Sequence, residues 1–264
     1  MATENFVYPY RQASKSAIAL AQGIEGKVIR LENSRFRPSA RKTVINWGST
    51  VLTPLLEGTR ILNKPELVNR ASNKKNFFEL AKEAGELGPK IPDFTFSKEV
   101  ARQWLSEEKP KKIFARTVLT GHSGEGIVKV NTVEDLEPIA EGTMFVVYVP
   151  KKREFRFHVD RVQGVFCVQE KLKKKEIPNE QVDYQIRNHS NGFIFAKQDL
   201  EVPESCETEA LKALKITGLD FGAIDVIYNE RQEQAYVLEV NTAPGLEGST
   251  IGDYVEMFER LKNG

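Results

Sequence analysis

With 264 residues, 38 Lys and Arg against 37 Asp and Glu, and a net charge of +1, the chain has room for one large or two to three small packed units and gives no bulk attraction to nucleic acid or membrane. Its 28% charged and 40% apolar residues are the balance of a globular protein rather than a disordered one. No apolar run reaches the ~18 residues that span a bilayer, the opening MATENFVYPYRQ has no signal-peptide core, and Cys167 and Cys206 are too few for a disulfide framework or a zinc site, so the cytoplasm is the expected compartment.

Residues 1–62 read as a small α/β unit. Phe6 to Tyr8 predicts a strand, Ser14 to Gln22 a helix capped by Ser14, and Lys27 to Leu31 and Thr43 to Asn46 two further strands. Ligands in such units sit at the carboxyl ends of parallel strands. Tyr10, Arg11 and Ser14 after the first strand, and Asn46, Trp47 and Ser49 after the third, are therefore candidates for substrate contact. A capped helix and a half-buried tryptophan are the plain alternative. The basic loop Arg35, Arg37, Arg41 and Lys42 is read as solvated, although it could grip an anion.

Residues 63–147 form the next unit. Phe77, Phe78, Leu80, Ala81 and Ala84 recur at helical spacing and Gly85 ends that helix. Ser97 to Ser106 predicts a second helix, with Trp104 in the core. Lys112 to Leu119 and Gly126 to Val130 read as strands joined by Thr120-Gly121-His122-Ser123-Gly124-Glu125. A glycine-rich turn can lay backbone N–H groups over anionic oxygens. It is neither a P-loop nor a Rossmann fingerprint, since no Lys-Ser/Thr follows it and it opens no helix. An ordinary turn is the alternative. Met144 to Val149 is an apolar strand ending at Pro150.

Residues 148–264 hold the third unit. Arg153 to Val159 and Val162 to Gln169 form a hairpin in which Glu154, Arg156 and His158 alternate with Phe155, Phe157 and Val159, giving one polar and one core face. His158 is expected to face solvent. Lys171 to Lys175 is a lysine-rich loop without the interleaved aromatics of a nucleic-acid patch. After a helix over Glu204 to Thr217 come two strands, Ala223 to Tyr228 and Ala235 to Asn241. A turn symmetric about Gln232 sets Asp225 opposite Glu239, with Asn241 one step along the same face. That face also carries Ala223, Ile227 and Val237, whereas Ile224, Val226, Leu238 and Val240 make the core face. Two carboxylates about 5 Å apart repel, and burying them unpaired costs several kcal/mol more. A divalent cation removes both problems, and an all-oxygen set suits Mg²⁺ or Mn²⁺ rather than zinc. A solvated polar face is the alternative.

The run LEVNTAPGLEGST, Leu238 to Thr250, with Asp225 on the paired strand, resembles the metal-binding end of ATP-grasp enzymes, above all the RimK/LysX type of carboxylate-amine ligase. The resemblance implies an α/β (α+β) fold in which two α+β lobes clamp the nucleotide behind a small N-terminal α/β domain. It implies ATP and two Mg²⁺ or Mn²⁺ ions on Asp225, Glu239 and Asn241. Lys74 stands where the family puts a phosphate-reaching lysine, and Arg116 where most relatives have another. Gly121, His122, Ser123, Gly124, Glu125 and Gly126 match the flexible lid. Val146, Val147 and Tyr148 replace the usual Gln-Glu-Tyr/Phe-Ile segment that reads adenine through backbone groups. Lys171 would point toward the polyphosphate, Arg156 toward the transferring phosphate, and Arg187 and Asn188, from an "RxN" segment retaining Gly192, toward an acyl phosphate. The Gly245 N–H would stabilise the tetrahedral adduct.

The implied activity is ligation of a carboxylate to an amine, each an amino acid, peptide or protein terminus, with release of ADP and phosphate. A kinase and a non-catalytic nucleotide-binding protein are the alternatives. YPYRQ, INWG and GHSGEGI resemble ATP-grasp proteins of tailed bacteriophages, which would place the enzyme in a host cytoplasm. A homodimer is the default assembly; no membrane or nucleic-acid partner is expected.

Overall fold

A computed structural model describes residues 4–51, 53–120, 125–197 and 200–263. The chain opens with β1 (Glu4–Pro9), α1 (Lys15–Gly23), β2 (Lys27–Val28), β3 (Lys42–Trp47) and β4 (Arg60–Leu62), which make a parallel sheet of order β2-β1-β3-β4. Ser14 caps α1 by accepting from the Ala17 N–H at 3.3 Å, one of the donors a helix start leaves unpaired. Two helices follow, α2 (Pro65–Ser72) and α3 (Lys74–Glu83). Asn73 makes the break: it ends α2, and its Oδ1 accepts from the N–H groups of Lys75 (3.0 Å) and Asn76 (3.3 Å) to start α3. Lys74 thereby becomes the first residue of α3.

The second sheet, β5 (Phe94–Thr95), β6 (Ile113–Arg116), β7 (Ile127–Val130) and β8 (Met144–Val147), has the order β5-β8-β6-β7 and packs on α4 (Lys98–Ser106). The third and largest comprises β9 (Arg153–Asp160), β10 (Gly164–Lys173), β11 (Phe193–Ala196), β12 (Phe221–Asn229) and β13 (Gln234–Asn241), antiparallel in the order β11-β10-β9-β12-β13. The chain crosses α5 (Glu204–Thr217) to reach β12 and ends in α6 (Thr250–Asn263).

The cores do not follow chain order. Val68, Ala71, Phe77 and Phe78 of α2 and α3 pack with Phe155, Phe157, Ile224 and Val240, so those helices cover the back of the third sheet. Leu20, Ala21 and Trp47 pack with Phe221, Tyr254 and Phe258, which joins the first sheet to α6. Burial of such side chains stabilises by ~1.5–3 kcal/mol each, and here it seats the first sheet and α2–α3 against the large one. Among the described residues no helix is long and apolar enough to cross a membrane.

Two elements depart from the sequence expectation. β10 runs on to Lys173 instead of giving way to a lysine loop. The β12–β13 ladder pairs Asp225 with Glu239 but Val226 with Val237, so Leu238 is an extra residue, a β-bulge. The bulge exchanges the expected faces: Val237 is fully buried in the core, while Leu238 lines the cavity.

Candidate active site

The front of the third sheet floors a cavity of about 750 Å³, a size that suits a nucleotide or drug-sized ligand. Antiparallel register builds that floor in rows. Gln169 pairs with Arg156, Arg156 with Asp225, and Asp225 with Glu239, so four polar residues from four strands cross the sheet in one line. One step along, Ile227 lies opposite Glu154, and Lys171 lies opposite Phe195. One step the other way, Ala223 sits between Asn241 and His158.

The two carboxylates of the central line are each neutralised by a fixed cation. Arg156 donates to Asp225 in bidentate fashion, Nε to Oδ1 at 2.7 Å and Nη2 to Oδ2 at 2.8 Å. Lys74 Nζ lies 3.3 Å from Glu239 Oε2, and Asn241 Nδ2 donates to Glu239 Oε1 at 3.3 Å. Burial alone would raise the Glu239 pKa, but Lys74, Arg156, Lys171 and Arg116 outweigh it and hold it at about 2. Asp225 is pushed above its ordinary value, first by burial and then by Glu239, against the pull of Arg156. The repulsion that the sequence assigns to a metal is thus already offset by protein cations.

Glu154 anchors the next row. It is almost fully buried, paired with Lys151 at 3.3 Å and in contact with Lys171. Burial opposes its charge, yet Lys151, Lys171 and Arg187 bring its pKa down to about 2. Lys171 also donates to the Arg187 carbonyl at 3.0 Å and stands 4.7 Å from the centre of the Phe195 ring. Its inward aim follows from strand alternation: Gln169 and Lys171 share one face of β10. Arg116, on β6, lines the cavity from the second sheet, and its guanidinium makes no hydrogen bond or ion pair among the described residues. Burial pulls its pKa down against the attraction of Glu239 and Glu154.

The remaining expected residues divide. Tyr10, Arg11 and Ser14 line the cavity near the loop that carries Gly245. Asn46, Trp47 and Ser49 do not; they are scaffold. Asn46 donates to the carbonyls of Ser49 and Asn63, both at 2.8 Å, and accepts from the Ser49 N–H. Trp47 is fully buried, stacked on Phe221 and edge-on to Tyr254. Ser49 is buried beside them, accepting from the Val51 N–H. His158 does not face solvent either. It is completely buried, joined to Tyr254 Oη at 2.9 Å and Gln169 Oε1 at 3.0 Å, because β9 runs between β10 and β12 and the His158 end of its polar face lies under α6.

Arg187 lines the cavity, but its guanidinium grips the carbonyls of Lys152 (2.9 Å) and Lys151 (3.3 Å). Asn188 lines it too, and its Oδ1 accepts from the Asn191 N–H at 2.8 Å. At the crossing between sheets, the N–H groups of Val147 and Tyr148 are taken by the carbonyls of Asp93 and Lys112, both at 2.8 Å, and Val146 is paired on both sides within its sheet. The first backbone donor there without a described acceptor is Val149. Gly121, His122, Ser123 and Gly124 lie outside the described residues. Glu125 is exposed, and Gly126, at φ +69°, accepts from the Thr117 N–H at 2.9 Å to close the turn.

Sequence reasoning missed Lys151, Glu154, Gln169 and Leu238 as cavity residues. The polar alternation of β9 and β10 was a usable signal for Glu154 and Gln169; nothing local announces the bulge at Leu238.

Three sheets clasping one cation-lined cavity, with oxygen donors on two adjacent strands of the largest, define the ATP-grasp fold, and the chain has that fold. No family model matches the chain. The chain is 22% identical over 234 residues to a probable alpha-L-glutamate ligase of Thioalkalivibrio sulfidiphilus, covering 85% of this chain and 73% of that protein. Among solved structures, it superposes on the ATP-grasp ligase PsnB, complexed with a phosphomimetic variant of its minimal precursor, Mg and ADP, with a TM-score of 0.67 at 14% identity, covering 98% of this chain and 99% of that one. It superposes on D-alanyl-alanine synthetase A of Vibrio cholerae with a TM-score of 0.68 at 16% identity, covering 100% and 98% respectively.

Proposed function

We propose that this protein is an ATP-dependent carboxylate-amine ligase that forms a C–N bond and releases ADP and phosphate. The observation that carries this reading is the line Glu239, Asp225, Arg156 and Gln169 across the cavity floor, with Asn241 one row away. It concentrates oxygen donors and cations where a polyphosphate and its metal would lie. The residues fit such a ligand. Asp225, Glu239 and Asn241 offer only oxygen donors, the set preferred by Mg²⁺ or Mn²⁺, and we assign two ions to them. The Arg116 guanidinium has forked donors to offer phosphate oxygens.

Bound Mg-ATP supplies the phosphoryl group that activates a substrate carboxylate as its acyl phosphate, and the metal's charge. The chain holds and orients. Lys74, Arg116 and Lys171 hold phosphate charge. Ile227 and Leu238 give the flat apolar surface that a base requires, and the Val149 N–H gives it a donor. Arg156 and the Gly245 N–H stabilise negative charge on the acyl oxygens and on the adduct formed by the attacking amine. Arg187 braces the 184–192 loop against the Lys151 and Lys152 carbonyls, and Asn188 stays on the acyl side. The reaction needs no protein nucleophile, and the two thiols are unsuited to be one: burial pushes Cys167 up to about 11 and Cys206 up to about 12. The relatives' names support an amino-acid or peptide carboxylate as substrate.

The test follows γ-labelled ATP with pools of amino acids and peptides. Free labelled phosphate, with a product whose mass is two components joined minus water, supports ligation. Label retained on a stable product refutes it in favour of a kinase.

A further inference from the structure

At the end of the central line farthest from Glu239, a chain of buried polar groups ends in the cavity. Tyr254, fully buried on α6, is hydrogen-bonded through Oη to His158 Nδ1 at 2.9 Å. His158 Nε2 lies 3.0 Å from Gln169 Oε1, and Gln169 Nε2 donates to Thr250 Oγ1 at 3.3 Å. Of these four side chains only Gln169 lines the cavity.

The proton positions follow from satisfying each buried group. A buried phenol hydroxyl must donate, and the acceptor that Tyr254 has among the described residues is His158 Nδ1. The imidazole therefore carries its hydrogen on Nε2 and donates it to Gln169. That donation fixes the amide: its oxygen faces His158 and its NH₂ faces Thr250, on a side chain that lines the cavity. Flipping the amide would place two donors together or leave the Tyr254 hydrogen unpaired, at a cost typical of a buried unsatisfied group. One amide hydrogen goes to Thr250. The second has no acceptor among the described residues.

We propose that the second N–H of Gln169 is a preset donor to an oxygen of the phosphoryl group during its transfer, adjoining Arg156, and that His158 is the positioning residue that keeps it aimed. This rests on the nucleotide reading above and adds to it a specific contact. A neutral amide suits the position: beside Arg156 it adds a directed donor without another charge to desolvate. His158 acts only through Gln169, since it does not reach the cavity.

Calorimetric binding of Mg-ADP, without and then with tetrafluoroaluminate as the mimic of the transferring group, tests this in the full chain. The parent protein tightens on addition of the mimic. Gln169→Met and His158→Leu still bind Mg-ADP and lose roughly 10- to 100-fold of that tightening, the value of one hydrogen bond to a charged group. The double variant loses no more than Gln169→Met alone, because the two residues act as one unit. Gln169→Glu keeps the acceptor for His158 but replaces the donor, loses the tightening too, and serves if Gln169→Met does not fold. Full tightening in Gln169→Met or Gln169→Glu, or additive losses in the double variant, overturns the proposal. Parent protein that binds Mg-ADP without tightening overturns the donor and leaves the nucleotide site standing. Parent protein that binds no Mg-ADP overturns the site and the donor together.

Discussion

Replacing Arg156 by methionine removes the cation in bidentate contact with Asp225 and leaves Asp225 and Glu239 facing each other on adjacent strands, with Lys74 paired to Glu239. The Arg156–Asp225 pair is buried, with 14% and 4% of the two side chains exposed, while Glu239 keeps 25%. Breaking a buried ion pair by removing one partner costs about 3–5 kcal/mol, which for a chain of this size lowers the melting temperature by on the order of 10 °C. The loss has a definite pH dependence. Asp225 already sits above its ordinary value through burial and the nearness of Glu239, and without Arg156 it rises further. A group whose folded pKa lies above its unfolded one contributes stability at low pH and loses it as pH rises through the folded value. The variant is therefore nearest its parent at acid pH and falls progressively behind as pH rises. A divalent cation takes over the vacated charge, so Mn²⁺ without nucleotide raises the variant's melting temperature and leaves the parent's unchanged. Thermal denaturation followed by circular dichroism across a range of pH, with and without Mn²⁺, reads all three effects. A variant as stable as its parent, or a deficit independent of both pH and Mn²⁺, would refute the account of the carboxylate pair.

Glu154→Gln tests the second row. Glu154 falls from an ordinary 4.5 to about 2, so its contribution of ~3 kcal/mol is fully present above pH ~4.5 and disappears as pH falls toward ~2; the variant's acid-unfolding curve is shallower and its stability at neutral pH lower. The bulge is tested by neighbours: Val237→Ala costs about 2 kcal/mol in urea denaturation and leaves Mg-ADP affinity near the parent value, whereas Leu238→Ala costs under about 1 kcal/mol and weakens Mg-ADP. An added Cβ at Gly48 would stand 2.7 Å from the Ala243 Cβ at φ +83°, so Gly48→Ala shifts the loop bearing Gly245. It lowers the turnover of ATP more than it weakens binding of Mg-ADP, and equal losses in the two would count against the loop's role.

Much of this architecture is legible in the chain because strand and helix patterns are local. The alternation in REFRFHV, the Ser14 cap, and the turn between β12 and β13 each state an element without reference to anything distant. The expected Asp225–Glu239 pairing is present for a different reason: the turn pairs Asn229 with Gln234 and Val226 with Val237, a register that alone would set Asp225 against Leu238, and the bulge shifts it by one residue to Glu239. The reading fails between the turn and the bulge. Leu238 and Val237 change places because a bulge adds one residue to β13, and no composition rule distinguishes a Leu in the core from one on a cavity floor.

What the sequence alone determined is the two hairpins at the centre of the sheet that carries the site, with the polar faces of their strands and the oxygen donors Asp225, Glu239 and Asn241 among them, because strand alternation is local; β11 and the bulge that brings Asp225 opposite Glu239 were not legible in it. What only the tertiary structure decided is which cation meets which carboxylate, whether a polar strand residue looks into water or into a buried hydrogen-bond chain, and which strand ends open onto the cavity. Arg156 finds Asp225 across β9 and β12, Lys74 reaches Glu239 from a helix more than a hundred residues earlier, and His158 is covered by α6 from the far end of the chain. These contacts depend on how separate elements pack, and packing is fixed by the fit of whole apolar surfaces that no local window contains.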